Sequence, residues 1–195
     1  MATLTEAEIR QLTLDPDDWE GLRKLGHRMV DDMLEHMATL RQQPAWQPVP
    51  QSVQTSLEQP LPVHPEPAEE VYEQFLTNVL PYTSGNRHPR SWGWVRGNGT
   101  ALGMLADMLA SGINAHLGGG QQAPTLVEEQ VLTWLKQMMG MPAGASGLLT
   151  SGGTMANLLG LAVARHAKAG FDVREEGLQG NHPRLLVYCS AETHM

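Results

Sequence analysis

The residues Thr150-Ser151-Gly152-Gly153-Thr154 lie between a short apolar run, Gly147 to Thr150, and an apolar helical pattern that begins at Thr154. A strand, a glycine turn and a helix N-terminus in that order make a socket for a phosphate. Glycine lets the backbone turn tightly and come close to a ligand. The free N–H groups and positive end of the helix favour an anion, and the hydroxyls of Ser151 and Thr154 can add hydrogen bonds. The same residues also suit an ordinary turn between strand and helix. The spacing is not Gly-x-Gly-x-x-Gly and lacks the Gly-Lys-Ser/Thr of a P-loop, so a dinucleotide or a nucleoside triphosphate fits poorly.

A second stretch with chemical potential is Arg87-His88-Pro89-Arg90-Ser91-Trp92-Gly93-Trp94, too rich in turn formers and aromatics for a regular helix. By themselves, Trp92 and Trp94 suit plain core packing. The 8 histidines are scattered, and none pairs at metal-ligand spacing with an acidic or thiol ligand, so no metal site is expected. The single cysteine, Cys189, leaves no intrachain disulfide and fits a reducing cytoplasm. Its place in Leu185-Leu186-Val187-Tyr188-Cys189 reads as that of a buried, inert thiol.

The elements that must carry these groups follow from periodicity and caps. Asp15-Pro16-Asp17-Asp18 opens a long helix on which Leu22, Leu25, Met29, Met33, Met37 and Leu40 form one stripe, ending near Gln43-Pro44. That stripe packs on the rest of the subunit or, being rich in Met, on a partner. Residues 44–67 hold seven prolines and read as an extended connector. Helices follow at Ala68 to Leu80, at Ala101 to Ala110 with Thr100 as cap, from Pro124 to Gly140, and at Thr154 to Ala169. A second strand is expected at Arg184 to Ser190. Strand, helix, strand in the last third implies an α/β fold with a parallel sheet, and two strands alone leave that sheet incomplete. The expected organisation is a helical arm over 1–43, the connector over 44–67, and the start of a large domain over 68–195. A net charge of −8 over 195 residues argues against nucleic acid and membrane surfaces as partners. No run approaches membrane-spanning length.

Several motifs occur together in one order: His88-Pro89 followed by an aromatic pair, Leu105-Ala106-Asp107-Met108-Leu109, Trp134-Leu135, Thr150 to Asn157, and Tyr188-Cys189-Ser190-Ala191-Glu192-Thr193-His194. In these the chain resembles the pyridoxal-phosphate-dependent group II amino-acid decarboxylases, the relatives of aromatic-L-amino-acid, glutamate and histidine decarboxylases. The resemblance implies a fold-type I, aminotransferase-like large domain preceded by a helical arm, with a homodimer formed through that arm. It implies pyridoxal 5'-phosphate as cofactor and a small L-amino acid as substrate, converted to an amine and CO₂. It further implies that Gly153 and Thr154 belong to the phosphate cup, shaped by Ser151 and Gly152. His194 matches the imidazole that stacks on the pyridine ring, a catalytic and cofactor-binding role. Trp92, Trp94 and Asn98 match the substrate side, and Leu117 to Gln121 matches a segment that reaches the partner subunit's site.

The family's pattern also needs a Schiff-base lysine and an aspartate for the ring nitrogen, both later in the chain than residue 195. Lys24, Lys136 and Lys168 are the only lysines, and none stands in that context. The expectation is therefore an N-terminal portion of a decarboxylase, inactive by itself. Two alternatives stand beside it. One is a non-catalytic piece that dimerises with a full-length relative. The other is a different fold-type I reaction, such as amine oxidation to an aldehyde.

Overall fold

The computed structural model describes residues 15–118 and 122–193. The chain divides into two compact units, Met1–Asn114 and Ala115–Met195.

In the first unit, helix α1 runs Trp19–Thr39. Its cap is Asp18, whose carboxylate accepts the Gly21 N–H at 2.9 Å. The helix thus starts after the expected Asp15-Pro16, because the carboxylate that reaches the third helical amide belongs to Asp18; Pro16 lies in the lead-in. A 3-10 turn over Leu40–Gln42 ends it. There the Gln43 side chain donates to the His36 carbonyl at 3.2 Å, and Pro44 forbids continuation.

The connector is not extended throughout. Helix α2, Gln51–Leu57, forms within it and buries Val53. Pro50 sets the backbone at its N-cap with φ −61, and nine residues free of proline follow, enough for two turns. Helix α3 spans Ala68–Asn78 and is followed by a 3-10 turn over Leu80–Tyr82.

Helices α1 and α3 are joined by a polar cluster. The Tyr72 hydroxyl donates to Asp32 Oδ2 at 3.0 Å. Arg28 pairs with Glu73 at 2.6 Å and with Asp32 at 3.5 Å, and its guanidinium lies 5.4 Å from the Tyr72 ring centroid. Burial, and then the bond to Asp32, holds the Tyr72 phenol above its ordinary range. The hydrogen bond to Glu73 raises Arg28 further. Leu25, Val53 and Tyr72 are the buried apolar residues of this unit among those described. Helix α4, Ala101–Ile113, is capped as expected: Thr100 Oγ1 accepts the Gly103 N–H at 2.9 Å. Asn114 ends it in the left-handed region with φ 44.

The second unit carries α5 over Ala123–Met138, α6 over Gly153–Lys168 and a single turn, α7, over Val173–Glu176. Gly140, with φ 64, closes α5, and the Met141 N–H returns to the Lys136 carbonyl at 2.9 Å. The runs expected as strands, 147–150 and 184–190, form no ladder among the described residues. A strand exists only as the hydrogen-bonded neighbour of another, and these two runs do not pair with each other. Their side chains lie open accordingly, with Leu148 60% and Val187 72% exposed. The same lack of a covering layer corrects the reading of Cys189: its thiol is exposed, not buried. Among the described residues, no helix is long and apolar enough to cross a membrane.

Candidate cofactor and substrate site

Candidate residues occur in both units, and each group is described within its own unit. In the second unit the phosphate turn leads directly into α6, one residue earlier than the expected Thr154. Gly152 occupies the N-cap, and no side chain caps the helix. The first carbonyl taken up by the helix is that of Gly152, which accepts the Ala156 N–H at 3.1 Å. The amides of Gly153, Thr154 and Met155 therefore precede the ladder, where the dipole favours an anion. Thr150 Oγ1 donates to the Gly152 carbonyl at 3.1 Å and so braces the turn from the inside. A Cβ added at Gly152 or at Gly153 would meet nothing within 4 Å. The backbone is thus bare at both glycines. Gly152 is extended, with φ 161, so its conformation does not itself demand glycine. An uncapped helix start, bare glycines and flanking hydroxyls fit a phosphate monoester such as that of pyridoxal phosphate. His194 lies outside the described residues, as do 119–121 of the Leu117 to Gln121 segment.

Two lysines acquire definite places. Lys136 donates to the Ala145 carbonyl at 3.0 Å and to that of Ala143 at 3.4 Å, which ties the end of α5 to the following loop. Lys168 ends α6, among the basic residues that suit a helix C-terminus.

In the first unit the aromatic stretch is a loop clasped at its base. Asn86 Nδ2 donates to the Gly97 carbonyl at 2.6 Å across eleven residues, and Ser84 Oγ donates to Asn86 Oδ1 at 2.8 Å. Gly85 makes the approach possible. It has φ +66, and a Cβ there would overlap the carbonyl oxygen of Ala45. Sequence reasoning passed over Gly85, Asn86 and the internal bonding of His88. The turn-forming Ser84-Gly85-Asn86 was the one available signal.

Trp92 and Trp94 are 90% and 85% exposed, which sets aside core packing within this unit. Trp94 has φ 70, a left-handed conformation that a bulky side chain rarely adopts. Strain of this kind, about 1–3 kcal/mol, tends to gather where function fixes the backbone. Trp94 lines a cavity of about 330 Å³ with Trp46, Ser91 and Arg96. Asn98 lines a different one, of about 290 Å³, with Arg87 and Asp107. The structure therefore gathers Trp94 and Arg96 about one hollow and leaves Trp92 and Asn98 outside it.

Residues 50–195 match the model of the pyridoxal-dependent decarboxylase conserved domain. The chain belongs to this family. The cofactor of the pyridoxal-dependent decarboxylases is pyridoxal phosphate, in accord with the bare turn before α6. Among relatives, the chain is 32% identical over 181 residues to an aromatic-L-amino-acid decarboxylase of Bacillus atrophaeus, covering 90% of this chain and 35% of that enzyme. Among solved structures, it is similar to tryptophan decarboxylase of Catharanthus roseus in complex with L-tryptophan, with a TM-score of 0.68 and 20% identity. That match covers 84% of this chain and 35% of the other. The 4-hydroxyphenylacetaldehyde synthase of Rhodiola rosea matches with the same TM-score of 0.68 at 23% identity, over 84% of this chain and 36% of that one. The structural likenesses establish a shared fold. The chain spans about a third of the length of the curated relatives it matches.

Proposed function

We propose that these residues form the N-terminal portion of a pyridoxal-phosphate-dependent L-amino-acid decarboxylase that acts on an aromatic amino acid and yields the amine and CO₂. The bare, uncapped turn at Gly152-Gly153, within a chain of this family, carries the reading. When bound, pyridoxal phosphate supplies an electron sink for the charge left at Cα as CO₂ departs. The contribution of this chain is binding and orientation. The amides of Gly153 and Thr154 would hold the phosphate, with the hydroxyls of Ser151 and Thr154 as further donors. Thr150 keeps the Gly152 carbonyl turned away from the anion. His194 would supply the aromatic contact to the pyridine ring of the bound cofactor. Trp92 and Trp94 offer aromatic surface to the substrate ring, Asn98 lies at the substrate side, and a homodimer through the helical arm completes the site.

None of the three lysines has the setting of a cofactor anchor, and Lys136 is committed to backbone carbonyls. The 195-residue chain alone is therefore expected to release no CO₂ and to develop no Schiff-base absorbance with the cofactor. The decisive experiment supplies L-tryptophan, L-tyrosine and L-glutamate to the intact enzyme that carries these residues and measures CO₂ and amine. Equal amounts of amine and CO₂ from the aromatic substrates are the expected result, and turnover by the isolated chain would overturn the assignment. A second reading has one observation in its favour, the likeness to an aldehyde synthase. Aldehyde, ammonia and hydrogen peroxide formed with consumption of O₂, in place of amine, would establish it.

A further inference from the structure

His88 is the most buried polar residue among those described, 3% exposed, and all its polar bonds are local. Its N–H donates to the Gly85 carbonyl at 2.9 Å, and its carbonyl accepts the Ser91 N–H at 2.9 Å. Its ring Nδ1 accepts the Arg90 N–H at 3.0 Å. An acceptor at Nδ1 leaves a neutral ring with its proton on Nε2, and that nitrogen is buried with no hydrogen-bond partner. A buried donor without a partner is costly and calls for a reason. A phenyl ring of nearly the same size would fill the space without that cost, but it would offer no acceptor to Arg90. The side chain's distinctive contribution is therefore Nδ1, at the start of the loop clasped by Asn86.

We propose that His88 is a positioning residue: as a neutral ring accepting at Nδ1, it fixes the turn that launches Trp92 and Trp94 and so sets how the aromatic loop meets the substrate. This rests on the reading that the loop lines the substrate pocket. The charged and titratable groups lining the adjoining cavity, besides His88 itself, are His36 on α1 and Arg87, and no carboxylate lines it among the described residues.

Amide exchange at Arg90 and Ser91, measured in the whole 195-residue chain, tests the clamp without reference to activity. His88→Phe keeps the ring volume and should speed exchange at Arg90 about tenfold while α1 stays protected. His88→Asn places an amide oxygen near the position of Nδ1 and should restore protection; His88→Gln, whose amide sits one bond further out, should not. In the intact enzyme loaded with pyridoxal phosphate, His88→Phe should raise KM for the aromatic substrate about tenfold with kcat within about twofold, and Asn should reverse the rise. Unchanged exchange in a folded Phe variant overturns the proposal, as does faster exchange with KM unmoved. If the wild-type enzyme releases no CO₂, the functional reading fails, and exchange alone then decides whether His88 is the clamp.

Discussion

Tyr72 donates its phenol to the carboxylate of Asp32 across forty residues, at 3.0 Å, and thereby pins α3 to α1. The ring is 5% exposed, whereas the Asp32 side chain keeps 36% of its surface, so this bond is the shielded part of a cluster whose Arg28 pairs face solvent. Tyr72→Phe keeps the buried ring and deletes only the donor. It should lower stability by about 1 kcal/mol, and Arg28→Ala by less, since exposed ion pairs contribute about 0–1 kcal/mol. A double-mutant cycle of Tyr72→Phe with Asp32→Asn in urea unfolding should show a coupling of about 0.5 kcal/mol or more; strict additivity would mean the bond contributes nothing.

Gly85 and Gly26 should respond in opposite directions to alanine. A Cβ at Gly85 collides with the Ala45 carbonyl, and φ +66 adds strain, so Gly85→Ala should cost about 2 kcal/mol or more. Gly26 lies inside α1, and a Cβ there meets nothing within 4 Å. Gly26→Ala should therefore stabilise by about 0.5–1 kcal/mol. Thermal melts of the two variants beside the parent check both signs at once.

At Gly153 the prediction separates binding from folding. A valine there points into open space, so the melting transition should move by no more than about 0.5 kcal/mol equivalent. In the intact enzyme the same Gly153→Val change should weaken pyridoxal phosphate about tenfold or more, measured by equilibrium dialysis. Cofactor affinity left intact would remove Gly153 from the phosphate cup.

His36 supplies a pH dependence whose direction is fixed. Burial, and then the nearby positive charge of Arg87, lowers its titration below the ordinary 6.5. The folded chain therefore binds fewer protons here than the unfolded chain. The contribution is fully present above 6.5 and is lost as pH falls from there through the lower folded value. His36→Gln should flatten that part of the stability curve, with little change at about pH 8. An unaltered slope between about pH 5 and pH 7 would contradict the assignment.

Local signals were legible along the chain. The three-and-four spacing of Leu22 to Met37 gave α1, Thr100 gave the cap of α4, and Gly140 gave the end of α5. Each is decided by neighbours within a turn. The start of α1 was misjudged because Asp15 and Asp18 are both competent caps, and only the reach of a particular carboxylate chooses between them. Helix α2 was hidden because the prolines that mark its borders also describe a connector. The phosphate turn was visible as a pattern, since a glycine turn before a helix is local. The clasp from Asn86 to Gly97 and the bonds of His88 were not. They depend on how the backbone folds back on itself and on Ala45 lying against Gly85, about which residue types say nothing. The open state of Cys189 was missed for a related reason: burial is a property of what lies opposite.

The run that ends at Cys189 has a further bearing on how the polypeptide is handled in a cell. Leu185-Leu186-Val187-Tyr188-Cys189-Ser190 is uncharged, proline-free and rich in sheet formers, and its backbone is paired with no strand among the described residues. Such a hexamer is a template for cross-β stacking between molecules. Pro183 and Arg184 before it and Glu192 after it act as gatekeepers at its borders. Arg184→Ala or Glu192→Ala should therefore raise the insoluble fraction of the expressed chain.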